Sequence, residues 1–161
     1  LCTVIPMDRL IEFLFEKLIL FLLKLIGSIL LLTILLQIFV RFIMVHPFSW
    51  TEELSRFSFI WFCFLGSAYA LKKNLHLGID YFYKKAAPAT RRKMDMFIHL
   101  IILFFGFLLC YYGTIMTQIS SFQKSPILRL QMSYMYMVLP ITGSFFLLFS
   151  GYRLYQIIRK K

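Results

Sequence analysis

Four apolar runs, each about as long as a bilayer is thick, set the terms for this chain. They cover approximately residues 18–42, 50–71, 94–122 and 133–152; Lys24 breaks the first, which ends in Arg41 and Phe42. A membrane-spanning helix needs roughly 20 mostly apolar residues. The reading is therefore an all-α integral membrane protein with four transmembrane helices, residues 1–161 forming a single membrane domain. Composition agrees: 60% of the 161 residues are apolar and only 16% carry charge, against about 25% charged in an ordinary soluble domain. One soluble core of this size could not bury so much apolar surface. Disordered, disulfide-scaffold and soluble globular classes are excluded on the same grounds. Pro47, Pro88 and Pro126 fall between runs, while Pro140 and Gly143 lie inside the fourth and predict a kink there.

The first run is not read as a cleaved signal peptide. Its apolar stretch exceeds the roughly 7–15 residues of such a segment, and no small-residue cleavage site follows. Met7 is expected to be the true start, with Leu1 to Pro6 an artefact ahead of it.

The net charge of +11 must be read by position. Fourteen of the eighteen Lys and Arg precede or open the first run, fill the link between runs two and three, or end the chain; Arg41, Arg56, Lys124 and Arg129 lie on the other side. Positive charge collects on cytoplasmic loops, so both termini are expected in the cytoplasm, as an even number of spans requires. No basic motif with a soluble fold around it suggests nucleic acid, and none is expected as a partner.

Two flanking segments read as amphipathic. Asp8, Arg9, Glu12, Glu16 and Lys17 fall at helical spacing opposite Ile11, Phe15 and Leu18, so the first helix should begin before the membrane. In the basic link, Leu75, Leu77, Ile79, Phe82 and Tyr83 alternate with His76, Asp80, Lys84 and Lys85. A short surface helix there would bury the first set and offer the second to phospholipid headgroups; a solvated loop is the plainer alternative.

The segment Ser49-Trp50-Thr51-Glu52-Glu53-Leu54-Ser55-Arg56 is the most informative. Ser49 and Glu52 match an S-x-x-E capping box, and acidic groups suit a helix N-terminus. Glu52 and Arg56 are four apart and can pair. Trp50 suits a membrane interface. A capped helix at the outer surface explains all of this; a polar contact to a partner protein is the functional alternative.

Lys24 and Arg41 sit near opposite ends of the first run and read as snorkelling side chains at the lipid interface. Gln37 can bond across helices. Haem ligation would need histidines inside facing helices, but His46 and His76 are in links and His99 is alone, a satisfied interface residue. Cys2, Cys63 and Cys110 form no CxxC pair, so neither redox nor zinc chemistry is expected. A carrier working alone would need an acidic residue deep in a span, and spans three and four have none at their centres. Gly66 and Ala70, and the stripe Gly106, Cys110, Gly113 and Thr117, mark where helices should touch.

The run Trp50 to Arg56, followed by Trp61, Gly66, Ala70, His76 and Asp80, resembles the small membrane subunit of TRAP transporters, the tripartite ATP-independent periplasmic transporters of bacteria and archaea. Ser125-Pro126-Ile127-Leu128, Tyr136 and Pro140 resemble that family's third link and last span, and the layout of four spans in about 160 residues is similar along nearly the whole chain. The departures are Gln131, where a helix-breaking proline often sits, and the strongly basic link.

The resemblance implies a DctQ-like subunit of the bacterial inner membrane, not an enzyme. It would act as a scaffold for a large membrane subunit that holds the substrate and sodium sites and moves in an elevator fashion. It would also help dock a periplasmic substrate-binding protein during import of organic acids such as C4-dicarboxylates, sialic acid or sugar acids. On that reading Trp50, Glu52, Glu53 and Arg56 contact a partner; Lys24, Arg41, His76, Lys84 and Lys85 meet lipid; and no cofactor or metal belongs to this chain. The tail Arg159-Lys160-Lys161 suggests a large subunit on a separate chain. The alternatives are a small autonomous homodimeric carrier, a four-helix membrane enzyme of the glutathione and eicosanoid class, and an assembly factor.

Overall fold

In the computed structural model, the described backbone covers residues 7–43, 48–73 and 88–159, with side chains described for 17–43, 48–73, 90 and 93–159. The elements are α1 (Met7–Ile43), α2 (Ser49–Lys72), α3 (Pro88–Ile119) with a 3-10 turn (Ser120–Phe122), α4 (Ser133–Tyr136) and α5 (Val138–Arg159). Four stretches are long and apolar enough to cross a membrane: Lys17–Ile43, Ser49–Lys72, Lys93–Phe122 and Ser133–Arg159. Each contains the corresponding predicted run. The helix of the first begins at Met7, ten residues ahead of its apolar stretch, as the amphipathic reading of that segment requires. The expected surface helix, with His76, Lys84 and Lys85, lies outside the described residues.

The chain divides into two compact units, Leu1–Tyr69 and Ala70–Lys161. In the first, α1 and the second half of α2 meet through side chains: a Cβ on Gly27 would lie 3.0 Å from the Phe62 ring, and one on Gly66 3.8 Å from Leu23. Most of the described side chains of α1, residues 17–43, point outward, with Phe21, Leu31, Leu32 and Phe39 exposed. In water such a face would aggregate; in lipid it is the ordinary surface of a spanning helix.

The second unit is packed through small residues. A Cβ on Gly143 would fall 2.8 Å from Cys110 N and 2.9 Å from Gly106 O. One on Gly113 would fall 2.8 Å from both Leu139 Cβ and Pro140 Cδ. Three members of the small-residue stripe thus form the α3 side of this contact, because lipid gives helices no hydrophobic reason to associate and close backbone approach must supply the attraction. Thr117, the fourth, instead donates to its own helix at Gly113 O, 2.7 Å away.

Polar pairs fasten the same contact. The buried Ser150 hydroxyl donates to His99 O at 2.6 Å, and the Cys110 thiol donates to Pro140 O at 3.5 Å. His99 Nδ1 lies 2.9 Å from Asp95 O, an acceptor only, so that nitrogen carries the proton. His99 is therefore a buried, satisfied residue at a helix contact, as expected.

The interruption expected from Pro140 falls one turn ahead of it, at Met137 between α4 and α5. Met137 keeps right-handed helical backbone, φ −58° and ψ −24°, and Pro140 is the third residue of α5. Proline has no N–H to give the Tyr136 carbonyl, so the helical bonding lapses there. Gly143 serves close approach rather than bending. This break at the rim of the last span gathers no acidic side chain, since residues 123–159 contain none.

Between the 3-10 turn and α4, the chain forms a hairpin. Ser125 N–H donates to Leu130 O at 2.8 Å and Met132 N–H to Gln123 O at 3.0 Å, bracketing the bridge between Lys124 and Gln131. Arg129 adopts φ 53°, the left-handed conformation that turns the chain back.

Candidate functional site

Among the described residues of the first unit, the start of α2 brings together Thr51, Glu52, Glu53, Ser55 and Arg56. Ser49 is already helical, so the expected capping box is not formed. The hydroxyl that engages the turn is that of Thr51, which donates to Phe48 O at 2.7 Å, and Thr51 N–H reaches the same oxygen at 3.2 Å. This frees the Glu52 carboxylate, which accepts from Arg56 Nη2 at 3.2 Å, one turn along the helix. The expected pairing of Glu52 with Arg56 is present. Both side chains remain more than 60% exposed.

Helical periodicity assigns the four singled-out residues to different surroundings. Trp50 is exposed and stacks on Phe48, with ring centroids 6.3 Å apart. Glu53 is only 7% exposed and engages other groups of the chain. Glu52 and Arg56 border an open groove of about 250 Å³ whose other walls are Ser55, Phe59 and, from α1, Leu30 and Ile34. The structure thus joins Glu52 to Arg56 and turns Glu53 away.

Lys24 and Arg41 lie on α1 beyond either end of this groove, both exposed, six residues before Leu30 and seven after Ile34. Lys24 O accepts a bond from Ser28 Oγ at 2.7 Å. His76, Lys84 and Lys85 lie outside the described residues.

The sequence reading missed Leu30, Ile34, Ser55 and Phe59. Ser55 and Phe59 were within reach, being three and seven residues from Glu52 and so on its face. Nothing marked Leu30 and Ile34, because between Lys24 and Arg41 the spanning part of α1 is apolar on nearly every face and offers no stripe to read.

The groove has one charged wall and one apolar wall. Its guanidinium and carboxylate already satisfy part of each other, leaving donors and acceptors that can take a second polar partner. Among the described residues no group of three His, Cys, Asp or Glu is placed to hold a metal ion, and Cys63 and Cys110 are free thiols.

The chain is 28% identical over 109 residues to the sialic acid TRAP transporter small permease protein SiaQ of Vibrio cholerae, covering 68% of this chain and 63% of that protein. It is 31% identical over 67 residues to the C4-dicarboxylate TRAP transporter small permease protein DctQ of Pseudomonas aeruginosa, 42% of this chain and 32% of that one. A stretch of 105 residues is 25% identical to the sialic acid TRAP transporter permease protein SiaT of Haemophilus influenzae, 65% of this chain but only 17% of that longer protein. The matched part of the chain therefore spans less than two thirds of the length of each of these relatives. The sequence model of the DctQ component of the tripartite ATP-independent periplasmic transporters matches residues 30–160. With that match over most of its length and four helices of membrane-crossing length, the chain belongs to the DctQ component family of TRAP transporters, multi-pass proteins of the bacterial inner membrane.

Proposed function

We propose that this chain is the small membrane subunit of a binding-protein-dependent importer of organic acids, with residues 1–161 acting as one scaffold domain beside a large elevator subunit. Sialic acid, named in two relatives, and C4-dicarboxylate, named in another, support an organic acid as the solute. Sodium coupling and the substrate site belong to the large subunit, and both termini of this chain face the cytoplasm. The SiaT match favours a partnership of this kind, since there the similar segment is a small part of a larger permease.

The observation that carries the reading is the exposed pair Glu52 and Arg56. From Ser49 to Arg56 is roughly 10 Å along the helix. Across the groove, Ile34 lies nine residues before Ile43, or roughly 14 Å from the end of α1. The pair thus sits below the helix ends. A charged group facing hydrocarbon is costly and needs protein or water around it. A polar surface of a large membrane subunit supplies that cover, and the groove walls Leu30, Ile34 and Phe59 pack beneath it. Few groups here could ligate a transported solute, which fits a scaffold rather than a carrier.

Reconstitution tests this. Liposomes holding the chain together with the large subunit and the binding protein should take up organic acid on a sodium gradient, and liposomes holding the chain alone should not. Uptake by the chain alone would favour the autonomous carrier. Arg56→Ala should reduce both complex yield and uptake, and normal assembly with normal uptake in that variant would refute the assigned interface.

A further inference from the structure

Two apolar helices that cross a membrane are separated here by only the ten residues 123–132, because one span ends at Phe122 and the next begins at Ser133. At roughly 3.3 Å per residue, five residues out and five back rise no more than about 17 Å, and a hydrogen-bonded hairpin rises less. The polar headgroup layer on each side of a bilayer is itself roughly 5–8 Å deep. The base of the hairpin therefore lies in that layer, and its tip stays within about 17 Å of the span ends.

Its side chains are an unusual set for a water-facing loop. Phe122 is 92% exposed at its base, and Ile127 and Leu130 are exposed within it. Lys124 and Arg129 are exposed as well, and no acidic residue occurs from Gln123 to Arg159. Cross-strand bonds and the left-handed Arg129 hold these groups in a fixed turn. Apolar side chains beside cations, with no anion among them, match the boundary where acyl chains meet phosphate. Tyr134, exposed just beyond the hairpin, suits the same layer.

We propose that this hairpin is a lipid-interface anchor. Phe122, Ile127 and Leu130 enter the edge of the hydrocarbon, and Lys124 and Arg129 engage phospholipid phosphates. The hairpin thereby fixes the depth of α3 and α5 in the bilayer. This assignment does not depend on the scaffold reading.

The test places an environment-sensitive fluorophore on Ile127→Cys in a background with Cys2, Cys63 and Cys110 replaced. The full chain is set in vesicles of phosphatidylethanolamine and phosphatidylglycerol, alone and co-reconstituted with the large subunit. Leu130→Cys is the second position if the first variant does not assemble. The expected result is emission shifted to shorter wavelength, quenching by lipids carrying nitroxides near the headgroup, and little quenching by aqueous iodide. Charge reversal at Lys124 and Arg129 together should move the probe toward water and reverse that preference. Quenching by iodide and not by lipid would overturn the proposal. So would shielding from both quenchers, which would give the hairpin to a protein partner, whether the large subunit or an added binding protein.

Discussion

Replacing Gly143 by alanine adds one methyl at one of the two tightest approaches between α3 and α5, the other being at Gly113. An ideal Cβ there would lie 2.8 Å from Cys110 N, 2.9 Å from Cys110 Sγ and 2.9 Å from Gly106 O. Two of these three atoms are backbone, so no side-chain rotation relieves the clash and the helices must separate. Overpacking of this kind costs roughly 1–3 kcal/mol, and the backbone contacts place this case at the upper end. Alanine returns up to about 1 kcal/mol through its helix propensity. The net loss is therefore about 2 kcal/mol, a factor of about 30 in the folding equilibrium. Gly151 is the internal control, because nothing lies within 4 Å of a Cβ placed there. Gly151→Ala should keep the propensity gain and be neutral or stabilising. Purified chain in micelles, unfolded at equilibrium with denaturing detergent and followed by circular dichroism, gives both values. Gly106→Ala should fall between them, since its closest contact is Phe146 Cβ at 2.9 Å and its backbone neighbours are at 3.2 and 3.3 Å. Equal stabilities for Gly143→Ala and Gly151→Ala would refute the claim that close backbone approach holds these helices together.

Two further substitutions probe the same unit in the same assay. Ser150→Ala removes a fully buried interhelical bond to His99 O and should lower stability by about 0.6 kcal/mol, the average for such bonds in a membrane protein, and by no more than about 2. Thr142→Val should be neutral or raise stability by about 1 kcal/mol, because the Thr142 hydroxyl is buried with no partner among the described residues and valine keeps its shape. A marked loss in Thr142→Val would show that this hydroxyl has a partner in the membrane.

Much of the fold was legible because lipid makes a simple demand. Every backbone polar group in a span must be satisfied within its own segment, so length and apolarity suffice to find the helices. The stripe of Gly106, Cys110 and Gly113 was readable for a related reason: small residues at helical spacing have little other use in a membrane helix. Turn geometry was harder. Proline at 140 announces a disturbance, and the helical bonding lapses at Met137, one turn ahead, because Pro140 lacks the N–H that would bond the Tyr136 carbonyl. The capping box did not form as read. Its pattern fits Ser49, but the helix starts a residue earlier than that pattern assumes and Thr51 takes the bond.

The candidate site was half legible. The spacing of Glu52 and Arg56 predicted their pairing, and the same periodicity places Glu53 on another face, where the structure buries it. The apolar wall from α1 could not be foreseen. A stretch as uniformly apolar as the one around Leu30 and Ile34 carries no mark of which residues meet a neighbour, and only the packing of α1 against α2 selects those two.

The central claim is that this chain works as one part of a larger membrane transporter. The most direct measurement is a tagged purification from native membranes in mild detergent, with mass spectrometry of what co-elutes. The account predicts a larger polytopic membrane protein in stoichiometric amount, retained by the wild-type chain and diminished with Arg56→Ala. A homogeneous oligomer of this chain with no such partner would contradict it.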